Sequence, residues 1–322
     1  MTDDSAVVAT ATGAWTLTSA PSDKNWVKLA ASDSGEYIYA LANTELYMSN
    51  DYGNEWFLSG APSLQFAALT TNSSGQRVYA VYNGGGNQSS LYISNDFGEH
   101  WMPQSGLLYQ GAYISIACSK SGEFVYVVGL SQDIFYSANY GETWNSTLDE
   151  VLATLSFAQV VVDSSGMYVA AAAYSNGGMQ QGGVYLSSDY GHTWNALDLT
   201  TQYNQFTGIQ ISSDGQTVLV AEDRIIGGIF ISTNFGVDIA QIPDGPNATV
   251  KSIVASGDMQ FIMTMTYQNP ESSYFSSDGG LTWNLTHYDT SPDDDTEDES
   301  FFAMASSSTG QLVVAGDYGG GL

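Results

Sequence analysis

Ser49-Asn-Asp-Tyr-Gly-Asn-Glu-Trp56 is the first of six related octapeptides in the chain. It is followed by Ser94-Asn-Asp-Phe-Gly-Glu-His-Trp101, Ser137-Ala-Asn-Tyr-Gly-Glu-Thr-Trp144 and Ser187-Ser-Asp-Tyr-Gly-His-Thr-Trp194. Ser232-Thr-Asn-Phe-Gly-Val-Asp-Ile239 is a degenerate copy, and Ser276-Ser-Asp-Gly-Gly-Leu-Thr-Trp283 is the last. Their third residues are Asp51, Asp96, Asn139, Asp189, Asn234 and Asp278, spaced 45, 43, 50, 45 and 44 apart. A period in the mid-forties is the size of one four-stranded propeller blade.

A second signal shares the period. Apolar alternation on both sides of a small polar turn, as in Trp26–Ser32, Ser34-Gly35 and Tyr37–Leu41, reads as a β-hairpin. Such turns recur at Gly75, Gly122, Gly166, Gly215, Met259 (in the glycine slot) and Gly310. A third short strand precedes each octapeptide, and the residues after each Trp supply a fourth. Seven first hairpins meet only six octapeptides, because the last unit stops at Gly319–Leu322. The segment Ala14–Pro21 matches Glu55–Pro62, so an orphan fourth strand over 14–20 is expected to help close the last blade. The expectation is an all-β, single-domain, seven-bladed β-propeller over 1–322, with its last blade incomplete and the natural chain continuing past Leu322 or cut from a longer one. The repeats fall near 22–63, 64–108, 109–151, 152–202, 203–246, 247–290 and 300–322, with an acidic insertion at 291–299.

The octapeptide resembles the Asp-box, or BNR, repeat of sialidases, sortilin-type receptors, xyloglucanases and photosystem II assembly propellers. Six copies at blade spacing make the likeness specific for fold, but these relatives do unrelated things. The resemblance places the box between strands three and four, at the blade periphery and away from the usual active site. A short polar side chain there can accept backbone N–H bonds, and the Gly two residues later permits positive φ. Asp51, Asp96, Asn139, Asp189, Asn234 and Asp278 are therefore expected to be structural, since a turn tolerates Asn and a catalytic carboxylate would not. Trp56, Trp101, Trp144, Trp194 and Trp283 are expected in the core, and the fifth box, with Ile239 in place of Trp, is expected to be the loosest.

Composition excludes several functions. There are 34 acidic and 6 basic residues, a net charge of −28, so no basic face exists to displace counterions from nucleic-acid phosphates or to dock on anionic lipid. One cysteine, Cys118, leaves no internal disulfide framework or Cys-rich zinc site, and no apolar run is long enough to span a membrane. Two arginines, Arg77 and Arg224, cannot form the three-arginine carboxylate clamp that a sialidase resemblance implies. A photosystem assembly role, which the resemblance ties to a basic patch, fits the same six basic residues poorly.

Function is expected on the face carrying the loops between strands two and three and between consecutive blades. Glu222, Arg224, Tyr109, Tyr203 and Tyr288 are the candidate ligand-binding residues there. Asp223 with Asp149 or Glu150 could form a glycosidase carboxylate pair, against the alternative that they are solvated loop acids. The xyloglucanase resemblance implies two tandem propellers with a cleft between them, of which one propeller supplies half. No organic cofactor is implied. Asp293, Asp295 and Glu297 lie in an acidic run that offers hard oxygen ligands for Ca²⁺, with a solvated insertion as the plain alternative. Asn-x-Ser/Thr sequons at Asn72, Asn87, Asn145, Asn247 and Asn284, with the low lysine content, lean toward an extracellular or lumenal glycoprotein, although Met1-Thr-Asp-Asp does not resemble a signal peptide. The expected function is a non-enzymatic binding or scaffolding propeller for a protein or glycan ligand. A glycoside hydrolase is the alternative, and an assembly factor a third reading.

Overall fold

The structure, a computed structural model, describes residues 7–10, 15–21, 24–82, 91–104, 107, 112–130, 133–147, 152–174, 182–197, 199, 206–222, 228–246, 248–266, 273–286 and 301–317. Among these, the chain is all-β, with one 3-10 turn at Leu152–Thr154. It is a β-propeller built from antiparallel four-stranded sheets.

Six blades are each folded from one continuous stretch. Blade 1 comprises Trp26–Ala31, Ile38–Ala42, Glu45–Ser49 and Phe57–Leu58. Blade 2 comprises Phe66–Thr71, Val78–Tyr82, Leu91–Ser94 and Met102–Gln104. Blade 3 comprises Tyr113–Cys118, Val125–Gly129, Phe135–Ser137 and Asn145–Ser146. Blade 4 comprises Ser156–Val162, Val169–Tyr174, Gly183–Ser187 and Asn195–Ala196. Blade 5 comprises Phe206–Ile211, Val218–Glu222, Ile229–Ser232 and Ala240–Gln241. Blade 6 comprises Val250–Ala255, Ile262–Thr266, Ser273–Ser276 and Asn284–Thr286. The second strands are almost wholly buried, because each is flanked in its own sheet and covered on both faces by neighbouring blades.

The expected seventh repeat is corrected. The remaining sheet is a composite in which Phe301–Ser306 and Leu312–Asp317 pair with Val7–Thr10 and Trp15–Leu17 from the other end of the chain. This sheet is not short of a strand. Its third strand is Val7–Thr10, in register Val7↔Ala315 to Thr10↔Leu312, and its fourth is Trp15–Leu17. What the composite lacks is an Asp box, since its third and fourth strands are joined by only the four residues 11–14.

The innermost strands touch in sequence around the ring, and Phe301–Ser306 closes onto Trp26–Ala31. A cycle of backbone hydrogen bonds runs through the hairpin turns at one end. Asp33 donates to Ser73, Ser73 to Lys120, Lys120 to Ser164, Ser164 to Ser213, Ser213 to Gly257, Gly257 to Ser308, and Ser308 back to Asp33, at 2.7–3.2 Å. Each turn is braced from within. Its leading polar side chain accepts the amide five residues on, as Ser32 does from Tyr37 (3.1 Å), Asn72 from Arg77 (2.9 Å) and Asp163 from Tyr168 (3.0 Å).

Candidate functional site

The Asp boxes lie at the same end as the hairpin turns. The amide of the residue after each box Asp or Asn donates to the carbonyl just past the turn glycine of its own blade, as Phe97 does to Gln76 and Tyr190 to Met167. Within the second box, Asp96 Oδ1 accepts the Ser94 hydroxyl (2.9 Å) and the His100 amide (2.9 Å), and Ser94 Oγ accepts the Gly98 amide (2.8 Å). The Trp101 indole then donates to the Gly98 carbonyl at 3.0 Å. The other Trp boxes repeat this indole bond.

Two details differ from the sequence expectation. The box Trp side chains are half-buried rather than core, because they cap the outer edge of the sheet beside an exposed fourth strand. Positive φ occupies two consecutive residues, for instance Tyr190 (61°) and Gly191 (82°), so an aromatic sits in the left-handed region in five of the six boxes. The aromatic is held by the preceding blade: Phe97 stacks on Tyr37 at 4.5 Å, Tyr190 on Phe124 at 4.7 Å, and the Arg77 guanidinium lies 4.2 Å over Tyr140. In the sixth box Gly279 replaces the aromatic, and the matching residue of blade 5 is Thr217.

The carboxylates of the boxes are committed to these bonds. The Thr282 hydroxyl and amide, with the Ser276 hydroxyl, hold Asp278 down at about 2. Burial alone would raise Asp96 and Asp189, but bonds from His100 and Ser94, and from Thr193 and Ser187, outweigh it and hold both below the usual range.

The opposite end carries the loops expected to bind. Asp223, Arg224, Asp149, Glu150, Tyr109, Tyr203, Tyr288, Asp293, Asp295 and Glu297 lie outside the described residues. Glu222 is described, and its expected place on a binding loop is corrected. It ends the second strand of blade 5, pairs with Phe206, donates its amide to Gly228 at 2.8 Å and is wholly buried. Sequence reasoning passed over two polar features of this end. Lys24 meets Glu45 at 2.8 Å, and the Tyr47 hydroxyl donates to the same carboxylate at 3.2 Å, beside the buried Trp26 ring. Burial, then the Glu45 charge, raises the Tyr47 phenol. In the two-to-three connection of blade 3, Asp133 Oδ1 is buried without a hydrogen-bond partner among the described residues.

At the hairpin end, the axial mouth holds a cavity of about 170 Å³. Ser73, Ser164, Ser213 and Ser308 line it, and Lys120 bridges to Asp33 at 2.8 Å across the intervening hairpin of blade 2. On the innermost strand of blade 1, Lys28 keeps solvent access while protein surrounds it, and this loss of bulk water lowers its pKa. Such a mouth can hydrogen-bond a small polar group. The signal that could have revealed it is the polar residue preceding each turn, which repeats as regularly as the glycine.

Box geometry, blade order and closure together define an Asp-box β-propeller. The chain belongs to the Sortilin-Vps10 family: the profile described as "Sortilin, neurotensin receptor 3" matches residues 89–316. No curated protein matches the chain significantly. Among solved structures it is similar to the GH74 enzyme of Niastella koreensis, with 16% identity and a TM-score of 0.67 over 91% of this chain and 51% of that one. An ancestral GH74 enzyme matches with 12% identity and a TM-score of 0.65, over 85% and 42% of the two chains. The chain thus spans about half the length of these GH74 enzymes. YCF48 from Cyanidioschyzon merolae matches with 14% identity and a TM-score of 0.64, over 96% of this chain and 98% of that one. At these identities the likenesses show the fold.

Proposed function

We propose that this chain is a binding or scaffolding propeller that recognises a protein or glycan ligand through the loops opposite the Asp boxes. The observation that carries the reading is the commitment of the box end. Its carboxylates, turn amides and hairpin carbonyls are spent on internal bonds, which makes that end a rigid base for the other. The loops of the other end differ in length and hold Tyr109, Tyr203, Tyr288 and Arg224, side chains suited to stacking on sugar or peptide. Membership of the sortilin family supports an extracellular or lumenal setting. The test is a glycan array and a peptide array probed with the full chain, repeated with Tyr203→Ala and Arg224→Ala. Binding lost in both variants supports the reading. Binding that survives both but fails in a Lys120→Ala variant moves the site to the axial mouth and overturns it.

The GH74 likeness favours one alternative, a glycoside hydrolase using Asp223 with Asp149 or Glu150. Such a pair needs carboxyls about 5–5.5 Å apart for retention, or about 6.5–9.5 Å for inversion. Turnover of aryl-glycosides that Asp223→Asn or Asp149→Asn lowers a hundredfold would establish it. The binding reading expects no such turnover.

A further inference from the structure

We propose that Asn145 and Asn284 are N-glycosylation sites, and that their glycans cover the outer sheet edges of blades 3 and 6. Five sequons occur in the sequence, and the structure sorts them. Asn145 and Asn284 each follow the box Trp directly, in Trp144-Asn-Ser-Thr147 and Trp283-Asn-Leu-Thr286. Each opens the outermost strand of its sheet, paired on one side only, with Asn145 opposite Tyr136 and Asn284 opposite Phe275. Both side chains are exposed. They are therefore the same structural position used twice, facing solvent at a free strand edge.

Asn72 is the internal contrast. It leads the hairpin turn of blade 2, where its side-chain oxygen accepts the Arg77 amide at 2.9 Å and the Ser74 hydroxyl at 3.2 Å. Its neighbour Ser73 belongs to the axial cycle of backbone bonds. Asn72 is only half-exposed and its Cβ lies close against Gly122 of blade 3, so a glycan there would meet the adjoining blade. Asn195 holds the equivalent outer-strand position in blade 4, but Ala196-Leu197 follows it, so no sequon forms. Asn87 and Asn247 lie outside the described residues.

The chemistry needs one co-substrate, a polyprenyl-pyrophosphate-linked oligosaccharide, and the transferase of a secretory compartment. The Asn Nδ2 forms a bond to sugar C1 while the C1–O bond to pyrophosphate breaks. One amide proton is lost to base, and the lipid pyrophosphate departs. A flexible hydrated glycan at an outer strand also hinders edge-to-edge pairing with another chain, a hazard that propellers otherwise limit by keeping such strands short. In blade 6 the exposed Leu285 lies beside the acceptor, on the edge that would be covered.

The experiment is glycopeptide mass spectrometry of the full chain secreted from eukaryotic cells behind a host leader. Peptide N-glycosidase treatment should convert Asn145 and Asn284 to Asp and leave Asn72 as Asn. N145Q and N284Q should each remove one step of the gel-mobility shift. Thr147→Ala and Thr286→Ala, which keep the asparagines, should do the same. Bare Asn145 and Asn284 in the chain, whether secreted or retained, overturn the proposal. Occupancy of only one of the two, or of Asn72 in their place, overturns it equally.

Discussion

At the fourth residue after the box Asp or Asn, the side chain is matched to its partner in five of the six boxes, whereas in the first Glu55 meets Asp51 through its backbone amide. Asp189 and Asp278 meet hydroxyl donors, with Thr193 at 2.7 Å and Thr282 at 2.6 Å. Where the box carries Asn234, the same position is Asp238, and the carboxamide donates to it at 3.0 Å. Asn139 donates to Thr143 at 2.8 Å, since a hydroxyl serves either partner. Asn234→Asp should therefore set two carboxylates against each other. The expected loss is about 0.5–1 kcal/mol at pH 7, recovered on acidification, read from urea melts at both pH values. Unchanged stability at pH 7 would mean that the pair does not form. The carboxylates of Asp96, Asp189 and Asp278 give a second expectation. Their folded pKa values lie below the unfolded value of roughly 3.9, so the stability they contribute is complete above that pH. It is lost as pH falls through the folded values, down to about 2 for Asp278. The melting temperature of Asp278→Asn should accordingly vary less between about pH 4 and about pH 2 than that of the parent. Half-burial of the box indoles lowers the cost expected for Trp101→Ala to about 2 kcal/mol, with Ile239→Ala near 1 kcal/mol in chemical denaturation. A neutral Trp101→Ala would show that the indole does not brace the edge.

The hairpin is the element on which the blades meet. At Gly166 (φ +88°) an added Cβ would run into the Phe124 ring of the previous blade, and at Gly310 (φ +69°) one would meet Phe261 at 2.6 Å. Blade 6 breaks the rule with Met259 at φ 57°, a residue only 3% exposed, and blade 5 offers the small Thr217 where other blades place a larger residue. Gly166→Ala should destabilise by about 2 kcal/mol or more through clash and strain. Met259→Gly should also destabilise, by about 1–3 kcal/mol, because the slot then loses a buried side chain. A stabilised Met259→Gly, in thermal or urea unfolding, would mean that backbone strain outweighs packing there. At this scale most of the architecture was legible in the sequence. The box and the turn are local codes, each fixed by residues within five positions of one another. Val7–Thr10 was not legible, because a four-residue strand without a box carries no such code and is identified only by its distant partner. Glu222 was misplaced for a related reason: a polar residue at a strand end looks like a loop until its register is known.

For the whole molecule, the composite sheet decides the closure. Deleting residues 1–21 removes both strands that complete it and frees the edge of Leu312–Asp317. The variant should melt at a lower temperature and associate through that edge, seen by light scattering. A monomeric deletion variant with the parent melting temperature would contradict closure by these strands. The loop end was the least legible part, since residues such as Arg224 and Tyr203 sit in connections whose sequence obeys no repeat.

Pairing of Val8 with Val314 also sets an order of events during synthesis. The segment ahead of blade 1 finds its partner only after blade 6 has been made, some three hundred positions later in the chain. Blades 1 to 6 can assemble one after another as they emerge, each docking on its predecessor. Until translation passes Asp317, the growing protein is an open arc in which Val7–Thr10 still lacks its partner strand. Its lifetime in that state is set by elongation rate rather than by the stability of any blade, so slow codons late in the message would lengthen the interval in which two nascent arcs can trade strands.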